Sequence, residues 1–357
     1  MKKRKVIIRT GKVIPNTSME NYLQNCILPL AYILLENGYK VVFQTNVKTT
    51  DFDSIAFRLQ NRRGPFHILG MLFDELQIAF HTLFTKDQVL ILNMNQLLPN
   101  ILCAKNTIMI IHDIMPLEYP AHWPLLHKYY KYYLGPLLKR CRAIISVSNT
   151  TKRKLQEFYN LKEDKIITIY NGIKFSIKEE DVTTKMNVEE AFIYIGADLP
   201  NKNLRLLTDV FAELDERYSL NMISGCCNNK DVTAAAAINS NIKLMGYISE
   251  EELKQQYLNC KALVYPSFSE GFGLPLIEAM WYGKTIIVAD KDYAREVCED
   301  YPAIYFENNK QLKNAIVMSQ EYSANLDLVK VRKDLTSKFS WDKARQSIFN
   351  VLDNIMK

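Results

Sequence analysis

Residues 261–290, KALVYPSFSEGFGLPLIEAMWYGKTIIVAD, constrain the fold more than any other stretch. They read as strand, glycine-punctuated turn, helix, glycine stop and strand. Residues 262–265 form a short apolar run with branched and aromatic side chains, the pattern of a buried strand. Ser and two glycines mark 267–273 as a turn. Pro275 suits the first turn of a helix, where a missing N–H costs nothing. Leu276, Ile277, Met280 and Trp281 give that helix an apolar face, Gly283 is placed to end it, and 285–289 form the next strand. A β–loop–α–β unit of this kind aims a helix N-terminus and several backbone N–H groups at one point, which suits a phosphate. Glu270 in the loop and Glu278 on the helix flank that point.

The rest of the chain repeats the α/β pattern. With 357 residues it is too long for one ordinary core, and two domains are expected. It is 48% hydrophobic and 24% charged, the make-up of a soluble globular chain. Lys and Arg total 45 against 39 acids, a net charge of +6 that fits anionic small molecules or an anionic membrane surface. The excess is too diffuse to argue for nucleic acid. Seven cysteines without metal-ligand spacing read as reduced thiols of a cytosolic protein. The basic start is followed by only three apolar residues, Val6 to Ile8, so it lacks a signal core. No run approaches the ~18 apolar residues of a membrane span.

Strands are expected at 5–9, 39–44, 88–93, 107–111, 143–147 and 166–169, with helices between them. The first β-strand leads into a loop at 10–17 that contains Gly11, at the strand end where open α/β sheets bind ligands. A long helix is expected over 19–37. Leu69, Leu72, Phe73, Leu76, Phe80 and Leu83 recur at helical spacing. That stripe faces either a core or, beside Arg58, Arg62 and Arg63, a membrane. Residues 126–138 carry four tyrosines among lysines, either an amphipathic helix with half its tyrosines buried or an interfacial surface. Residues 176–190 are polar and aperiodic, and read as a linker. A second sheet begins at 192–195, followed by a loop with Lys202 that opens a helix, where a lysine and a helix N-terminus both favour phosphate oxygens. His112 ends the strand at 107–111, where it can donate one hydrogen bond and stay neutral.

The run E-G-F-G-L-P-L-I-E places seven residues between Glu270 and Glu278 and resembles the E-x7-E motif of family 4 glycosyltransferases, retaining enzymes of the GT-B fold. HDIMPLEYPAHWP, from His112, resembles the same family, whose corresponding histidine reaches the donor sugar and diphosphate. Tyr170-Asn171-Gly172-Ile173 resembles its turn into the second domain, and Glu296-Val297 resembles a pair that follows the motif. The chain departs from the family in having one Gly11 where a glycine pair is common. It also has Lys174 in place of an aspartate, and Ala197 and Asn201 where a basic partner of Lys202 is usual. Asp51-Phe52-Asp53 spells the D-x-D of metal-dependent glycosyltransferases, but in a polar loop with no strand before it to fix it, and reads as coincidental.

The resemblance implies an α/β protein of the GT-B fold. An acceptor-binding Rossmann-like domain at 1–175 would face a nucleotide-sugar-binding one at 191–338 across a cleft, and a terminal helix at 339–357 would return to the first domain. It implies sugar transfer, with retention, from a nucleotide-diphosphate sugar to an acceptor hydroxyl, on a lipid-linked or growing surface polysaccharide. Glu270 and His112 would be catalytic. Lys202, Gly271, Phe272, Gly273, Leu274, Glu278 and Gly11 would hold the donor, with Glu278 on the ribose. No metal or other cofactor is expected. The expected location is the cytoplasm, with an anionic membrane surface as a further partner. Two other readings stay open: a nucleotide-sugar epimerase of the same fold, and an inactive sugar-binding scaffold.

Overall fold

The computed structural model describes residues 4–11, 13–15, 17–55, 65–85, 87–94, 103–173, 191–319 and 326–357, with backbone alone at 65–72. The linker reading at 176–190 and Arg58, Arg62 and Arg63 lie outside these residues. The chain divides into two compact units, Met1–Lys174 with Phe339–Lys357, and Phe175–Lys338.

The first unit is built on a parallel sheet of seven strands: β1 (Arg4–Gly11), β2 (Lys40–Thr45), β3 (Asp53–Ser54), β4 (Gln88–Asn93), β5 (Thr107–Ile111), β6 (Ala143–Ser146) and β7 (Ile166–Thr168), in the order β3-β2-β1-β4-β5-β6-β7. Successive side chains of a strand point to opposite faces, and here both faces are covered, as a parallel sheet requires. Val6, Ile8, Val41, Phe43, Leu90 and Leu92 pack on one face with the terminal helix, Trp341–Met356, which contributes Ala344, Ile348 and Leu352. Ile7, Val42, Val89 and Ile91 face the other way, against Ile78 and Ala79.

The structure corrects three expectations here. Gly11 is the last residue of β1, at φ +64°, and lies in the strand rather than the loop. The helix expected over 19–37 is interrupted by one wide turn, Leu23–Ile27, between Ser18–Tyr22 and Leu28–Glu36. Pro29 has no N–H to give to the carbonyl of Asn25, and Arg345 Nη1 of the terminal helix donates to that carbonyl instead, at 2.6 Å. Asp53 is fixed after all, in the short edge strand β3. The anchor is Phe52, whose ring packs 5.0 Å from Phe43 and 4.9 Å from Tyr32.

The second unit carries a parallel sheet of six strands: β8 (Ala191–Ile195), β9 (Ser219–Ile223), β10 (Ile242–Gly246), β11 (Ala262–Tyr265), β12 (Thr285–Ala289) and β13 (Ile304–Phe306), in the order β10-β9-β8-β11-β12-β13. The order reverses between β8 and β11. Register there covers Ala262↔Phe192 and Leu263↔Ile193, while Val264 and Tyr265 pair only with β12. In such sheets, ligands bind outside the carboxyl ends of the strands at this reversal. In this unit, the loops leaving β8 and β11 are the ones that carry Lys202 and Glu270.

Candidate functional site

Two loops meet at the carboxyl ends of β8 and β11. The first passes Gly196 and ends in the short 3-10 turn Pro200–Lys202, before Asn203 in a left-handed conformation and the helix Leu204–Ala212. Asparagine tolerates that conformation better than most residues. The second is 266–273, which ends in Gly273 at φ +98° and opens the helix Leu274–Trp281. Asn201 is buried and ties the loops together. Its side-chain amide donates to the Ser269 carbonyl at 2.8 Å, and its backbone carbonyl accepts from Phe268 N–H at 2.8 Å. The position where sequence comparison expects a second cation is thus occupied by a neutral clamp between the loops.

Held this way, Lys202 Nζ lies 2.6 Å from Glu270 Oε1, with side chains only 12% and 10% exposed. Tyr265, the last residue of β11, donates its hydroxyl to the same carboxylate oxygen at 3.0 Å and accepts from Lys202 Nζ at 3.3 Å. The lysine also lies 5.4 Å from the centre of the Tyr265 ring. Burying an ion pair gains little stability, because desolvating two charges offsets most of their attraction. The pair is better understood as a charged constellation held ready beside a helix N-terminus. The helix has no side-chain N-cap, and Pro275 occupies its first turn. A diphosphate brought here would meet an ammonium group and the positive end of a helix.

Glu278 lies one helical stretch further on and is half-buried. Tyr257 donates its hydroxyl to Glu278 Oε2 at 2.6 Å and stacks on Tyr282, with ring centres 5.0 Å apart. Burial pushes the Glu278 carboxyl above the usual range, and the Tyr257 hydrogen bond partly opposes that. Tyr257 engages only the Oε2 oxygen of this carboxylate.

The structure therefore brings Lys202, Glu270 and the 271–274 turn together in the second unit, with Glu278 on the helix that follows. His112 and Gly11 belong to the first unit. His112 follows β5 and its ring makes a T-shaped contact with Tyr22, ring centres 4.7 Å apart. Burial lowers its pKa to about 4, although a hydrogen bond to the backbone of Met94 opposes this, so the ring is neutral near pH 7. Its Nε2 is buried with no hydrogen-bond partner among the described residues. A neutral ring that donates from its other nitrogen presents Nε2 as an acceptor, suited to a hydroxyl. Asp51 and Asp53 are engaged elsewhere, Asp51 with the Tyr32 hydroxyl at 2.5 Å and Asp53 with Lys40 at 3.1 Å. Among the described residues, no group of three His, Cys, Asp or Glu is placed to hold a metal ion.

Three participants were not identified from sequence: Tyr265, Tyr257 and Asn201. Tyr265 reads from sequence as the last residue of a buried strand, and its terminal position is the one signal that its hydroxyl could reach a site.

Comparison with known proteins gives consistent matches. The model for "Glycosyl transferases group 1" matches residues 176–318, and the model for "Glycosyltransferase Family 4" matches residues 89–176. The O-antigen chain mannosyltransferase RfbU of Salmonella typhimurium is 28% identical over 254 residues, 70% of this chain and 69% of that protein. The O-antigen chain mannosyltransferase B of Escherichia coli is 24% identical over 259 residues, 67% of this chain and 68% of its own length. Among solved structures, Anabaena Alr3699/HepE in complex with UDP and glucose superposes with a TM-score of 0.73 at 14% identity, covering 98% of this chain and all of that one (100%).

Proposed function

We propose that this chain, a family 4 glycosyltransferase of the GT-B fold, moves a mannosyl-type hexose from a nucleotide-diphosphate sugar to a hydroxyl of a surface polysaccharide or its lipid-linked precursor, with retention and without metal. The observation that carries the proposal is the Lys202–Glu270–Tyr265 constellation at the strand reversal of the second unit, beside an uncapped helix N-terminus. The choice of mannose rests on two relatives named as O-antigen mannosyltransferases. The choice of a nucleotide sugar rests on the same constellation and on a similar fold that holds UDP and glucose.

In this reading, Lys202 and the backbone N–H groups of 271–274 neutralise the departing diphosphate. Glu270 accepts hydrogen bonds from sugar hydroxyls, and Glu278 grips the ribose. In the first unit, the proposed roles are an Nε2 acceptor on His112 for a substrate hydroxyl and a substrate contact at Gly11, the end of β1. A Glu270 carboxylate that accepts hydrogen bonds from a phenol and from sugar hydroxyls is a weakened nucleophile. That favours attack on the same face: the acceptor oxygen bonds to the anomeric carbon as the carbon–phosphate-oxygen bond breaks, and the hydroxyl proton passes to the departing phosphate.

The proposal extends to a membrane surface. The helix Pro65–Leu83 exposes Phe73, Leu76, Phe80 and Leu83 along one side, and Phe84 follows, with Phe80 63% and Phe84 78% exposed. Such a stripe suits the headgroup boundary, and a lipid-linked acceptor would bring the enzyme there. No described helix is long and apolar enough to cross a membrane.

The test is incubation with a panel of UDP- and GDP-linked hexoses, with and without a polyprenyl-linked glycan acceptor, and NMR of the product. Transfer that needs acceptor and keeps the anomeric configuration is expected. An altered donor without acceptor would mean an epimerase, and binding without any turnover would mean a scaffold.

A further inference from the structure

The Lys202–Glu270 pair lies on a floor of tyrosines. Tyr265 is buried, and its ring stacks at 6.4 Å on Tyr194 and meets Tyr293 edge-on at 6.3 Å. Tyr293 in turn donates its hydroxyl to the Ser267 carbonyl at 2.9 Å, so the same floor holds the loop that carries Glu270. Of the three phenols, only Tyr265 bonds to the charged pair. Its one proton goes to Glu270 Oε1 and its lone pair accepts from Lys202. Tyr194 is equally buried, and its hydroxyl has no hydrogen-bond partner among the described residues.

The triangle has a consequence when a donor binds. A diphosphate competes for Lys202, since an ammonium hydrogen-bonds phosphate oxygens strongly. Glu270 would then lose its cationic partner at the moment its orientation matters most. Tyr265 is attached to the sheet and cannot follow the ligand. We propose that Tyr265 is a positioning residue for Glu270: its hydroxyl keeps Oε1 fixed when Lys202 turns to the diphosphate, so that Oε2 stays aimed at the sugar. Burial and the neighbouring carboxylate charge hold the phenol far above its ordinary pKa, so it remains a donor across working pH. The proposal rests on the reading of this site as the sugar-transfer site and gives Tyr265 a role there that the reading leaves unassigned.

The experiment is a double-mutant cycle on the full chain, using the donor identified by the panel: wild type, Tyr265→Phe, Glu270→Gln, the double variant and Tyr194→Phe. Tyr265→Phe is expected to lower kcat about 10–100-fold, the range of a hydrogen bond to a charged group, with donor KM within about threefold and an unchanged melting temperature. The double variant should be no slower than Glu270→Gln alone, because Tyr265 acts through Glu270. Tyr194→Phe, which keeps the stack and removes a hydroxyl bonded to neither partner, should stay within about twofold of wild type. Losses that multiply in the double variant would overturn the proposal. So would near-normal turnover of Tyr265→Phe, or a melting temperature lowered enough to place its hydroxyl in folding. If Glu270→Gln itself keeps its turnover, the site reading fails, and that outcome is distinct from a failure of the Tyr265 role.

Discussion

Replacing Glu278 by glutamine keeps the side chain's shape and removes its charge, which separates what the residue does for folding from what it does for the donor. In the free protein, Tyr257 would still donate to the remaining carbonyl oxygen at the position of Oε2. A hydrogen bond to a charge, about 1.5–3 kcal/mol, becomes a neutral one of about 0.5–1.5 kcal/mol. Against that loss, the change lifts the penalty of burying a charge, which reaches several kcal/mol for full burial and is smaller at this half-buried residue. The two terms oppose each other, so the variant should melt within about 2–4 °C of wild type at neutral pH, equivalent to about 1 kcal/mol. The pH dependence has a definite sign. Burial raises the folded carboxyl above its ordinary value. Its contribution to stability is therefore complete below the ordinary glutamate pKa and is lost as pH rises through the higher folded value. Wild type should lose stability relative to Glu278→Gln across that window. In steady-state kinetics, the lost acceptor on the ribose should raise donor KM by roughly 1–3 kcal/mol, about 5–150-fold, with kcat little changed, because the grip is alike before and during reaction. A collapse of kcat at normal KM, or a large drop in melting temperature, would refute the assignment.

Three other outcomes are expected. Activity should survive excess EDTA, and Asp51→Ala with Asp53→Ala should leave it unchanged, since both carboxylates are engaged with Tyr32 and Lys40; abolition by EDTA with rescue by manganese would contradict this. The protein should float with anionic liposomes and less so as salt rises, because surface attraction is screened within about 8–10 Å at physiological salt; Phe80→Ser with Phe84→Ser should weaken that binding, and equal flotation with neutral vesicles would count against it. His112, with its pKa lowered to about 4, contributes stability above the ordinary histidine pKa that is lost as pH falls through the lower folded value; melting curves of His112→Gln should therefore depend less on acid than those of wild type.

Much of this molecule is legible in its sequence, and what is not has a common cause. The strands other than β3 and β13, the turn at 267–273 and the helix stop at Gly283 follow from local pattern, and Gly283 does adopt φ +65° after the helix ends. Glu270 and Glu278, on either side of the Gly273 turn, follow from spacing. The Lys202–Glu270 contact does not, because it joins residues far apart in the chain and exists only because β8 lies next to β11. Tyr265 is hidden for the same reason: a tyrosine at a buried strand reads as packing until its hydroxyl is seen to reach two charges. The Asn25 carbonyl, which Pro29 cannot serve, accepts from Arg345, a residue from the far end of the chain. Asp53 was misread because the packing of Phe52 on Phe43 and Tyr32, not local alternation, fixes its strand.

The central claim is that the loop carrying Glu270 is where the glycosidic bond breaks. Steady-state turnover of Glu270→Gln with the true donor, alongside a melting curve, tests it most directly. Contacts that strengthen as the bond breaks set turnover, so kcat should fall on the order of 10²-fold or more, equivalent to a few kcal/mol in the barrier, while the protein stays folded. Near-normal turnover by a folded Glu270→Gln variant would contradict the account.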